Sequence, residues 1–207
     1  MSLEPFIVWR GVAAPMLRPN IDTDAIIPSR EMKRVSKTGL GEGLFAGERY
    51  LDSKTRQPNP DFILNNPSYS DCSILLGGPN FGCGSSREHA VWALREYGIR
   101  AIVAQGFGSI FANNCVRNGL LPVILSKQQI EALVDWTGES PGQRKIVINL
   151  EQQKITAGLL NYRFEIESGA RHMLLNGLDA IALTLQSKEV IKAFESNRRQ
   201  QRPWLYG

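Results

Sequence analysis

Residues 73–98 read SILLGGPNFGCGSSREHAVWALREYG. The apolar run halts at Gly77 and Gly78, the signature of a buried strand. Beyond a glycine-punctuated turn, Ala90, Ala93, Leu94 and Tyr97 recur at helical spacing, and Gly98 supplies a stop. The theme then repeats. Residues 100–106 (RAIVAQG) predict a second strand, 109–119 (SIFANNCVRNG) a second helix ending at Gly119, and 120–125 (LLPVIL) a third strand. Strand–helix–strand–helix–strand in this order predicts a right-handed α/β unit with parallel strands.

Outward from this unit the pattern changes. Residues 127–136 (KQQIEALVDW) predict a helix, and 144–150, 154–158 and 162–167 predict antiparallel strands with alternating faces. Helical patterns close the chain at 170–177, 178–186 and 187–200. Upstream, residues 20–62 carry polar residues, glycines and prolines with little periodicity, which predicts a long functional loop. The expected fold class is α/β, one domain over residues 1–207 with a parallel α/β half and an antiparallel β layer.

Composition narrows the function classes. A chain of 207 residues suffices for one sizeable core. No run reaches the ~18 apolar residues of a membrane span, and Glu4 and Pro5 break any signal-peptide pattern. A cytoplasmic location is expected. The net charge of +4 is weighted toward the tail at 196–207, with Arg198, Arg199 and Arg202. No nucleic-acid motif accompanies it, which argues against such a partner and for a solvated basic tail. The three cysteines, Cys72, Cys83 and Cys115, share no metal-ligand spacing, so no metal is expected on this chain.

The turn itself concentrates chemistry. Ser85 followed by Glu88 spells a capping box, which would explain those two residues and leave Ser86, Arg87 and His89 over. Spacing excludes three sharper readings. A dinucleotide fingerprint wants a small residue where Arg87 stands, a phosphate-binding P-loop wants a Gly-Lys-Ser/Thr ending, and a hydrolase elbow wants glycine where Glu88 stands. Two readings stay open. Either the turn simply caps a helix, or the positive helix end, two hydroxyls and a guanidinium grip a carboxylate.

Residues 80–123, from NFGCGSSREHA to GLLPV, resemble the swivelling domain of the aconitase family. NIDTDAIIP at 20–28, TGLGEGLF at 38–45, PNPDF at 58–62 and RHMLLNGLDAIALTLQ at 171–186 narrow the resemblance to the isopropylmalate dehydratase small subunits within it. The resemblance covers essentially the full chain. It implies a swivelling β/β/α domain, and a hydro-lyase that isomerises a hydroxy-dicarboxylate by dehydration and rehydration, here 2-isopropylmalate and 3-isopropylmalate in leucine biosynthesis. It also implies a large-subunit partner carrying a 4Fe-4S cluster, no activity for this chain alone, and no cluster ligand in Cys83. A related hydro-lyase acting on citraconate and methylmalate, or a non-catalytic dicarboxylate-binding module, is the alternative.

By the same resemblance Ser85 is the base that removes a proton alpha to a carboxylate. Ser86 and Arg87 bind substrate carboxylate, and Asp24 organises the site. Residues 22–62 contain a mobile substrate-selecting loop, in which Arg30, Lys33 and Arg34 are the basic candidates for contacting substrate; the resemblance does not choose among them. Glu31 stands where isopropylmalate-type members carry a large apolar residue. His89 and His172 are expected to be structural, Cys115 to pack as a small apolar residue, and Trp92 to belong to the core.

Overall fold

A strand that must be buried on both faces needs partners on both edges, and the computed structural model, which describes residues 3–32, 38–52 and 54–206, supplies them. In chain order the elements are β1 (Val8–Met16), α1 (Thr23–Ile26), α2 (Ala46–Arg49), β2 (Tyr50–Asp52), β3 (Gln57–Pro58), β4 (Cys72–Gly77), α3 (Glu88–Tyr97) and β5 (Ala101–Ala104). There follow α4 (Ser109–Arg117), β6 (Leu121–Ile124), α5 (Lys127–Gly138), β7 (Lys145–Asn149), β8 (Lys154–Ala157) and β9 (Leu160–Arg163). Three helices end the chain: α6 (Ser168–Asn176), α7 (Ala180–Leu185) and α8 (Lys188–Gln201).

Seven strands form one sheet in the order β6-β5-β4-β1-β7-β8-β9. β4, β5 and β6 run parallel, with Leu75 beside Ile102 and Val103 beside Val123. β1 pairs parallel with β4 and antiparallel with β7, so it is the seam between the two halves. β8 and β9 extend the antiparallel side. The expected α/β half and β layer are both present. The central position of β1 was not anticipated, because its nine residues lie before the first strong apolar run.

Side chains alternate across the sheet with the period of two that a pleated strand imposes. Leu75, Ile102 and Ala104 face one cluster, filled by Ala90, Val91 and Leu94 of α3 and by Phe111 and Cys115 of α4. Ile74, Leu76, Ala101 and Val103 face the other, filled by Ile130 and Leu133 of α5, Ile146 and Ile148 of β7, and Leu174 of α6. Each such fully buried aliphatic side chain contributes about 1.5–3 kcal/mol.

Residues 22–62 hold short elements: α1, α2 and the two-stranded sheet of β2 and β3. At the other end, no described residue from Ala180 onward is buried, and Ile181, Val190, Phe194 and Trp204 are exposed. The basic tail at 196–207 is helical as far as Gln201. Among the described residues no helix is long and apolar enough to cross a membrane.

Candidate functional site

The site grows from the carboxyl end of β4. Past Gly78 the chain turns back under Ile21 and Asp22, with Gly82 N donating to the Ile21 carbonyl at 2.7 Å and Thr23 N to the Cys83 carbonyl at 3.0 Å. Thr23 Oγ1 then donates to the Ser85 carbonyl at 2.9 Å. Gly82 has φ of +71°, and a Cβ there would lie 2.2 Å from Phe111 Cγ, so only glycine lets the turn pass beneath α4.

The predicted capping box does not form. Arg87 is extended (φ −120°, ψ 106°) and is itself the N-cap of α3, with no side-chain cap hydrogen bond. Glu88 is therefore the first helical residue rather than the third. Its Oε1 instead accepts from Asn118 Nδ2 at 2.7 Å, which ties α3 to the end of α4. Ser85 lies outside the helix, and among the described residues no side-chain hydrogen bond engages Ser85 or Ser86. Both are exposed. The structure thus frees the Ser85 hydroxyl that capping would have consumed.

A pocket of about 230 Å³ opens at this point, lined by Thr23, Asn80, residues 82–87 and residues 108–111. The last four begin α4, whose N-cap Gly108 also offers no side-chain cap. Two uncapped helix starts, of ten and nine residues, therefore meet at the carboxyl ends of parallel strands. Each brings partial positive charge and unspent backbone N–H groups, and the crevice beyond the strand ends is where open α/β sheets bind ligands. Sequence reasoning missed the contribution of Gly108 and Ser109. The signal was the Gly108-Ser109 pair at the start of the second helix, as Gly84 and Ser85 stand shortly before the first.

Arg87 is the fixed cation of the pocket. Its Nη1 donates to Asp24 Oδ1, with Ser29 Oγ adding a hydrogen bond to the same oxygen at 3.2 Å. The hydrogen bond from Arg87 holds the Asp24 carboxyl below its ordinary value of 3.8, against the opposing desolvation, with the Arg87 charge and Ser29 helping. Among the described residues Arg87 makes no other ion pair, so the rest of its fork can take a second carboxylate. Asp24, placed by α1 after Asp22 caps that helix through Ala25 N at 2.7 Å, is thus brought to Arg87 across 63 residues.

Arg30 does not reach the pocket lining. Its Nη2 donates to the Ala46 carbonyl at 3.4 Å and its Nε lies 3.4 Å from Glu31. Lys33 and Arg34 lie outside the described residues. The His89 ring packs 4.7 Å from that of Trp92, whose Nε1 donates to Asn118 Oδ1 at 3.0 Å, so both belong to the α3–α4 packing. His172 is exposed on α6 beside Asn176.

The thiols do not suit an iron–sulfur cluster, which needs thiolates gathered together. Burial pushes Cys72 up to about 12 and raises Cys115 well above its ordinary value. Cys83 lines the pocket alone, and among the described residues no group of three His, Cys, Asp or Glu side chains could hold a metal.

The family model described as the aconitase C-terminal domain matches residues 3–128, and that of the C-terminal domain of the 3-isopropylmalate dehydratase small subunit matches residues 181–207. A 3-isopropylmalate dehydratase small subunit from Cupriavidus necator is 59% identical over 205 residues, covering 99% of each chain. Counterparts from Agrobacterium fabrum and Leptospira interrogans are 48% and 45% identical, covering 98% and 99% of this chain and 100% and 99% of their own. A crystal structure of 3-isopropylmalate dehydratase from Methanocaldococcus jannaschii superposes with a TM-score of 0.64 at 25% identity, covering 91% of this chain and 99% of that one.

Proposed function

The chain belongs to the family of 3-isopropylmalate dehydratase small subunits, built on the aconitase C-terminal domain, and from that premise we propose what each residue of its pocket does. The enzyme is a hydro-lyase that works as a complex with a large subunit and isomerises 2-isopropylmalate and 3-isopropylmalate in leucine biosynthesis. The observation that carries the site assignment is the meeting of two uncapped helix starts with Arg87 in one pocket.

The substrate is a dianion, and this chain's half of the site supplies positive charge without supplying a metal. Arg87 takes a substrate carboxylate through the edge of its fork that Asp24 leaves open, and Ser86 donates to the same group. Ser85 Oγ, as the alkoxide, removes the proton on the carbon alpha to that carboxylate as hydroxide departs from the neighbouring carbon, giving the isopropylmaleate alkene, a protonated Ser85 and hydroxide. Return of the proton and hydroxyl to exchanged carbons completes the isomerisation. A serine alkoxide is far too basic to persist near neutral pH unless its surroundings favour the charge. Two helix ends and a guanidinium are surroundings of that kind. The residues of this chain do not fit a cluster, so the 4Fe-4S group that would act as Lewis acid on the departing hydroxyl is assigned to the large subunit. We assign the enzyme to the cytoplasm.

The test is reconstitution. This chain mixed with its large subunit should turn over isopropylmalate, while neither chain does so alone. Turnover by the isolated chain would overturn the division of labour. A complex that prefers citraconate-derived methylmalate would overturn the substrate assignment.

A further inference from the structure

One arginine outside the pocket holds both flanks of residues 33–37. Arg56, in the turn between β2 and β3, donates from Nη2 to Glu31 Oε2 at 2.6 Å and from Nη1 to the Glu42 carbonyl at 3.0 Å. Its guanidinium lies 5.0 Å from the centre of the Tyr50 ring, and the Tyr50 hydroxyl donates to the same Glu42 carbonyl at 3.1 Å. Glu31 is only 12% exposed at its side chain and also receives Arg30. The turns it joins are in contact: a Cβ on Gly43 would lie 2.8 Å from that of Glu31.

The backbone is shaped for this contact. Arg56 has φ of 56°, a left-handed conformation that costs a non-glycine residue on the order of 1 kcal/mol and persists only where neighbours enforce it. Asp52 enforces it, accepting from Lys54 N at 2.9 Å and Thr55 N at 2.7 Å through its side chain, and from Arg56 N at 3.0 Å through its carbonyl. Glu31 is therefore spent on Arg56 rather than presented to a ligand.

Two residues before Glu31, Ser29 Oγ reaches the Asp24 oxygen that Arg87 holds. A continuous chain of contacts thus runs from Arg56 through Glu31 and the 29–31 turn to Asp24 and Arg87. We propose that Arg56 is a positioning residue for the carboxylate grip: by fixing the 29–31 turn it sets where Asp24 holds the Arg87 fork. The inference rests on the reading of Arg87 as a substrate-carboxylate ligand.

Steady-state kinetics of the assembled enzyme, both subunits together, on isopropylmalate test it, with Arg56→Gln, Glu31→Gln and Arg56→Lys. A misplaced grip weakens substrate binding more than chemistry, so Arg56→Gln and Glu31→Gln should each raise KM about tenfold with kcat within about twofold. Arg56→Lys keeps the charge beside Glu31 but cannot span to Glu42, and should recover part of the loss, leaving KM up about threefold. Variants that lower the melting temperature while keeping wild-type KM would reduce Arg56 to a structural staple and overturn the proposal. So would variants that lose kcat at unchanged KM. If Arg56 variants stay kinetically silent while Ser85→Ala abolishes turnover, this inference fails and the functional reading stands. If the wild-type complex ignores isopropylmalate, the functional reading itself fails.

Discussion

Ser85 and Arg87 sit two residues apart, and the reading proposed above gives them different work. Ser85 is exposed, outside the helix and without a side-chain partner among the described residues, so truncating it removes nothing that the fold uses. Ser85→Ala should lower kcat of the complex by about 10²–10⁴-fold, the range of a lost general base, with an unchanged circular dichroism spectrum and unchanged association with the large subunit. A helix cap would give the opposite result, a loss of stability at normal turnover. Arg87→Lys keeps the charge and loses the planar fork that holds Asp24 and, in the proposed reading, a substrate carboxylate, so KM should rise about tenfold. The Asp24 carboxyl lies below its ordinary 3.8 in the folded chain. Its pairing is therefore complete above that value and is lost only as pH falls through the lower folded one, which leaves the grip intact across the neutral range. At this scale the sequence named the residue types but not their partners. The contact between Asp24 and Arg87 spans 63 residues and depends on α1 docking onto the turn, which no local pattern encodes.

Among the elements, the turn between β4 and α3 is the most constrained. Gly82 combines a left-handed φ with the Phe111 ring directly beneath it. Gly82→Ala should cost about 2–6 kcal/mol, from strained backbone and overpacking together, and a urea melt of the isolated chain should show it. The helices and strands of the parallel unit were legible because their periodicity is strong and glycines punctuate them. The helix start was not, since the serine–glutamate spacing fits a capping box in isolation. What decides the matter is Asn118, from a different helix, which claims Glu88. The segment 22–62 was opaque for a related reason. Its short turns are held by single side chains such as Glu96, which accepts from Gly39 N at 2.6 Å and Gly41 N at 2.7 Å, and such contacts leave no repeating pattern.

Seen whole, the molecule is a seven-stranded sheet with helices on both faces and an exposed arm of α7 and α8. Because no described residue from Ala180 onward is buried, ending the chain at Asp179 should change the unfolding free energy of the remainder by less than about 1 kcal/mol, as urea denaturation would measure. The sheet's two halves could be foreseen from the order of elements; their seam could not. β1 reads as a featureless stretch because its burial is supplied by strands far along the chain, β4 on one side and β7 on the other. That placement has a consequence for the newborn protein. β1 leaves the ribosome before every other strand, yet its second neighbour is incomplete until Asn149 has emerged. At ordinary rates of translation the interval is on the order of ten seconds. For that time one side of the seam is a bare edge, open to chaperones or to another nascent copy, and the pace of synthesis rather than the speed of collapse decides when it closes.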